Sequence, residues 1–122
     1  MDRKVLEKRL VNFSTDVMRF CRSCEFDSFT NHLLKQIVRS SSSCTLNYGE
    51  AQSAESRADF AHKLSLVLKE LRETFMNLTL IRNAGINGDT NLLAELLEEN
   101  NELIAIFQKS VNTLRNARKN SE

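Results

Sequence analysis

The sequence predicts an all-α protein, an antiparallel up-down-up-down four-helix bundle. Three observations predict it. Apolar residues recur at alternating intervals of three and four along four separate stretches, the spacing that lays one seam along a helix. Proline is absent and glycine occurs three times in 122 residues, whereas a β-sandwich or barrel recruits both into many turns. The breaks between stretches are short and polar, and short connections make antiparallel neighbours. The length suits one domain over residues 1–122. Hydrophobic residues at 41% and charged residues at 27% exclude a disordered chain and a membrane-spanning one.

The first helix is expected over 3–24, with Leu6, Leu10, Phe13, Val17, Phe20 and Cys24 as its seam. Glu25-Phe26-Asp27-Ser28 breaks it, and Asp27 or Ser28 can cap the next helix, over 28–52. Its seam is Phe29, Leu33, Ile37, Cys44, Tyr48 and Ala51. The four serines at 40–43 taken alone read as a loop. The seam nonetheless resumes in phase after them, and small side chains let a neighbouring helix come close, so one helix is expected throughout. Gly49 weakens its last turn by about 1 kcal/mol relative to Ala.

Ser56-Arg57-Ala58-Asp59 has the form of a capping box with Asp in the place of Glu. It opens a helix over 57–84 whose seam runs Phe60, Leu64, Val67, Leu71, Thr74, Leu78, Ile81. Gly85 is a natural terminator. Asp89 or Thr90 caps the fourth helix, over 90–118, with Leu93, Leu97, Asn100, Ile104, Phe107, Val111 and Leu114 inward, widened by Leu92, Leu96, Leu103 and Ile106. A polar Asn100 in a seam either fixes register at some cost in stability or sits at a partly wetted edge; the sequence leaves both open.

No residue pattern identifies a reaction. Cys21 and Cys24 form a C-x-x-C, but only Cys44, His32 and His62 remain to complete a zinc or redox site, with no second close pair. Buried small thiols are the simpler reading, and no metal or other cofactor is expected. Asp59-x-x-His62 falls at a helix start where Asp59 has a capping role, unlike the inward Glu-x-x-His motifs of di-iron bundles. Glu70 and Glu73 lie one turn apart with no nucleophile or His beside them in sequence. Folding the second and third helices about residue 54 brings Arg39 near both, which predicts an Arg39–carboxylate bridge. The first residues lack an apolar leader core, and an odd number of cysteines, three, fits reduced thiols; a cytoplasmic, membrane-free protein is expected.

The net charge of +1 hides an asymmetry. In an up-down-up-down bundle one end collects nine bases, Arg3, Lys4, Lys8, Arg9, Arg57, Lys63, Arg115, Arg118 and Lys119, against the six acids Asp2, Glu7, Glu50, Glu55, Asp59 and Glu122. The other end collects Arg19, Arg22, Lys35 and Arg82 against Asp16, Glu25, Asp27, Asp89, Glu95, Glu98 and Glu99. Acids near the start of the fourth helix and bases near its end suit its dipole. Alternatively, in a ring of identical subunits the basic ends add into a rim able to hold phosphates. No aromatic residue is interleaved among these bases, so stacking of single-stranded bases is not supported.

An ordered string of motifs runs from the second helix into the third: Arg39-Ser40-Ser41, Asn47-Tyr48-Gly49-Glu50-Ala51, Ser56-Arg57-Ala58-Asp59-Phe60, Lys63-Leu64 and Leu68-Lys69-Glu70-Leu71-Arg72-Glu73-Thr74. With the opening Leu6-Glu7-Lys8-Arg9-Leu10, it resembles the small bacterial four-helix bundle family that includes proteins encoded in 23S rRNA intervening sequences. The resemblance covers nearly the whole chain; Gly49, where the family usually has Ala, and the fuller serine run depart from it. It implies an all-α bundle in a ring-like homo-oligomer, a pentamer, with no established activity. It also implies relatives among accessory proteins of diversity-generating retroelements, which partner a reverse transcriptase and contact RNA or DNA through basic surfaces. Those relatives are strongly basic, and this chain is near neutral. The leading expectation is therefore a non-enzymatic oligomeric scaffold or adaptor in a bacterial cytoplasm, with Arg39, Asn47, Tyr48, Glu50, Asp59, Phe60, Lys63, Glu70 and Glu73 as its architectural set. The alternative is a nucleic-acid-binding or reverse-transcriptase accessory module that uses the nine bases. Val11, Met18, Leu46, Leu66, Met76 and Leu80 lie off the seams and are candidate subunit contacts.

Overall fold

The computed structural model describes residues 1–121, and the side chains of all of these but 118, 120 and 121. Four helices follow in order, α1 (Arg3–Ser23), α2 (Ser28–Ala51), α3 (Arg57–Asn83) and α4 (Thr90–Ser121), and no strand is present among the described residues. Each packs on its sequence neighbours, α1 also packs on α4, and the backbones of the diagonal pairs α1–α3 and α2–α4 do not approach one another. This is the expected antiparallel four-helix bundle.

The helix ends follow local chemistry. Asp2 Oδ1 accepts from the Lys4 amide at 3.0 Å, Asp27 Oδ1 from Thr30 at 2.8 Å, Ser56 Oγ from Asp59 at 3.0 Å and Asp89 Oδ1 from Leu92 at 3.0 Å. Each side chain satisfies an amide that a first helical turn leaves without a partner. Asp59 reaches back to the Glu55 amide at 3.3 Å, one residue beyond the Ser56 amide that a capping box usually engages. Gly85 has φ +68. Its amide donates to Arg82 O and the Ile86 amide to Ile81 O, the pairing that closes a helix through a left-handed residue.

The core is the set of predicted seams. Leu10, Phe13, Val17, Phe20, Ile37, Cys44, Val67, Leu71, Leu78, Ile81, Leu103 and Phe107 are all buried. The serine run is helical, with Ser40 and Ser41 fully inside. Ser40 Oγ meets Thr74 Oγ1 across α2–α3 at 2.7 Å, and Ser14 Oγ meets Thr45 Oγ1 across α1–α2 at 2.7 Å while donating to Ser41 O at 2.8 Å. Asn100 is fully buried and donates from Nδ2 to Leu71 O at 3.0 Å, which excludes the wetted edge. Its Oδ1 has no hydrogen-bond partner.

One seam residue is corrected. Phe29 stands 85% exposed, and Thr30 takes the inward place at 5%. The Thr30 hydroxyl binds the Asp27 cap at 2.9 Å, and residue 30 is in heptad phase with Ile37, Cys44 and Ala51. Leu66, expected on the surface, is half-buried.

The two ends of the bundle are built differently. At the turn end, the Glu25 amide donates to Asn87 O at 3.0 Å, Asn87 Nδ2 to Glu25 Oε2 at 3.1 Å and the Asp89 amide to Ser23 Oγ at 2.9 Å. Gly88 is pressed so close that a Cβ there would lie 2.8 Å from Cys24 Sγ. These contacts latch the α3–α4 turn onto the α1–α2 turn. At the terminal end, α4 with 32 residues outruns α1 with 21, and the core opens.

Candidate functional site

The termini meet as the topology requires. Arg3 of α1 shares a cleft with Lys109, Ser110, Thr113 and Leu114 of α4, and Arg115 lies with Ala58, Ala61 and His62 of α3. Of the nine expected bases, Arg3, Lys4, Lys8, Arg57, Arg115 and Lys119 are exposed; the side chain of Arg118 lies outside the described residues.

Two of the nine are already held. Arg9 grips Glu99 through Nε at 3.1 Å and through Nη2, and Nη2 also reaches Glu102 at 3.0 Å. The hydrogen bond to Glu99 raises the guanidinium above its ordinary value. Glu99 therefore does not belong to the acidic end: the extra length of α4 lies at the terminal end, so Glu99 comes level with Arg9. Lys63 Nζ donates to Glu50 Oε2 at 2.7 Å, which raises the ammonium above its ordinary value.

The motif residues divide by role. Arg39 bridges Glu70 at 3.5 Å and Glu73, as its place opposite them predicts. Burial, then proximity to Glu73, pushes the Glu70 carboxyl up; hydrogen bonding with Glu70, then the Arg39 guanidinium, draws Glu73 down. Asn47 Nδ2 donates to Ser43 O at 2.9 Å within α2, and Asp59, in the first turn of α3, accepts from the Glu55 amide. These residues, with the Glu50–Lys63 pair, shape the α2–α3 hairpin. Tyr48 and Phe60 instead face the terminal cleft.

That cleft, about 640 Å³, opens between the start of α1, the end of α2, the start of α3 and α4. Leu6, Leu64, Ile106, Phe107 and Leu114 line it beside the two aromatics. The Tyr48 ring stands edge-on to Phe107, centroids 5.6 Å apart at 87°. Burial holds its phenol above the ordinary value. Lys109, Gln52, Ser110 and Thr113 also line the cleft; sequence reasoning missed them, although their level with Arg3 follows from counting residues back from an overhanging α4. No Asp, Glu, His or Cys lines it among the described residues, and Met1 and Arg3 complete the lining.

The thiols are poor nucleophiles. Burial pushes Cys21 and Cys44 up to about 12, and attack requires the thiolate. Among the described residues no three His, Cys, Asp or Glu side chains converge to hold a metal ion, and no helix is long and apolar enough to cross a membrane.

A crystal structure of a protein of unknown function from the S23 ribosomal protein family of Bacteroides thetaiotaomicron is similar, with a TM-score of 0.75 and 26% identity over 92% of this chain and 99% of that one. Comparison with curated proteins finds no match. Residues 4–109 match the 23S rRNA-intervening sequence protein family. With the helix order, the hairpin motifs and the match in agreement over most of the chain, the protein belongs to the 23S rRNA-intervening sequence protein family.

Proposed function

We propose that this protein is a non-enzymatic scaffold that works as a side-by-side homo-oligomer. One observation carries the reading: two exposed apolar pairs sit on the outer faces of diagonal helices. Val11 and Met18 are seven residues apart and share one face of α1; Met76 and Leu80 are four apart and share one face of α3. Met76 is 61% exposed and Leu80 51%. Because α1 and α3 are diagonal, the pairs point to opposite sides. Their heights agree: Ser14, between Val11 and Met18, touches Ser41, and Ser40 touches Thr74, two residues from Met76.

Two different patches on opposite sides, at one height, support a head-to-tail association of parallel bundles. Such an interface closes into a ring when its rotation allows, in keeping with the pentamer that the family resemblance implies. A basic-end contact with nucleic acid has weaker support, because Arg9 and Lys63 are neutralised by Glu99, Glu102 and Glu50.

Sedimentation tests the reading. The wild type should run as a closed oligomer, and Met18→Glu and Met76→Glu should each dissociate it. Mixed together, the two variants should form a heterodimer, since each keeps the face that the other lacks. A monomeric wild type, or variants that stay assembled, overturns the proposal.

A further inference from the structure

We propose that the terminal cleft is a binding site for an anionic amphiphile, a carboxylate or phosphate head carried on an apolar chain. The site is independent of the assembly argued above. Its volume, about 640 Å³, falls within the roughly 300–1,000 Å³ usual for small-molecule pockets, which are mostly apolar with a few converging polar groups. Leu6, Phe60, Leu64, Phe107 and Leu114 supply the apolar wall.

The polar groups decide the head. Ser110 donates to Ile106 O at 3.2 Å, Thr113 to Lys109 O at 2.9 Å and Gln52 to Tyr48 O at 3.1 Å, so these donors are engaged within their own helices. Arg3 and Lys109 remain at the rim, in no ion pair among the described residues. Tyr48, a neutral phenol at pH 7, lines the cleft and offers a third donor. Cations facing an apolar cavity without a carboxylate in its lining favour an anion, because hydrogen bonds to a charged acceptor are roughly twice as strong as neutral ones. A neutral apolar ligand would gain no charge-assisted bond from those donors.

The protein carries its own probe. Tyr48 is the single tyrosine and tryptophan is absent, so intrinsic emission reports the cleft. Sodium decanoate and decyl phosphate, titrated below their micelle concentrations, should each change that emission saturably, and the stronger of the two identifies the head. 1-Decanol, with the same chain and no charge, should bind at least about tenfold more weakly. The exposed double variant Arg3→Gln/Lys109→Gln should lose a similar factor while its circular dichroism stays that of the wild type. An absent or unsaturable response to both anions overturns the proposal, as does equal binding by decanol or by the double variant.

Discussion

Asp27 shows how much one side chain decides. Its carboxylate receives the Thr30 amide at 2.8 Å and the Thr30 hydroxyl at 2.9 Å, and these bonds hold it below its ordinary value. A depressed carboxyl contributes stability in full above the unfolded value of about 3.9 and loses it as pH falls through the lower folded value. Asn also caps a helix, but its uncharged oxygen accepts more weakly than a carboxylate and does not titrate. Wild type should therefore melt above Asp27→Asn at pH 7, with the gap closing towards pH 2; thermal melts at the two pH values measure it. Gly49 is a simpler case. A side chain there would meet nothing within 4 Å and its backbone needs no left-handed φ, so Gly49→Ala should raise unfolding free energy by about 1 kcal/mol in urea titration. Asp27 and Gly49 were both legible in the sequence, because caps and glycines act locally. Phe29 was not, since one residue of phase at a first turn is set by how Asp27 and Thr30 lock together.

Between elements, hydroxyls do what bulk cannot. Ser40 is fully buried against Thr74, and that closeness lets α2 and α3 form the most extensive contact in the bundle. Ser40→Ala should cost less than about 1 kcal/mol, because Thr74 keeps its bond to Glu70 O at 2.8 Å. Ser40→Leu should cost about 1–3 kcal/mol by forcing the helices apart. Chemical denaturation of both variants separates close packing from hydrogen bonding. The in-phase return of Cys44 and Tyr48 made the serine helix legible, and antiparallel counting about residue 54 placed Arg39 by Glu70 and Glu73. The same counting failed for Glu99, because the register of α4 against α1 depends on an overhang that the seams alone do not reveal. The cleft was hidden because the same register decides which α4 residues stand level with the first turn of α1, and Lys109 acquires a role only beside Arg3.

Across the whole molecule, the charge map survives in outline and loses its simplicity. Arg9 and Lys63 are held by carboxylates, while the exposed apolar pairs on α1 and α3 are the faces that the proposed assembly would use. The Met18→Glu and Met76→Glu mixing experiment belongs to this scale, since it reads the direction of assembly rather than its mere existence. The latch at the turn end sets a further condition. Gly88 packed on Cys24, with the bonds among Ser23, Glu25, Asn87 and Asp89, fastens the α1–α2 hairpin to the α3–α4 hairpin at one end. At the opposite end the 52–56 turn and the Glu50–Lys63 pair hold α2 to α3, which leaves the α1–α4 side, clasped by Arg9 on Glu99 and Glu102, as the one without a turn across it.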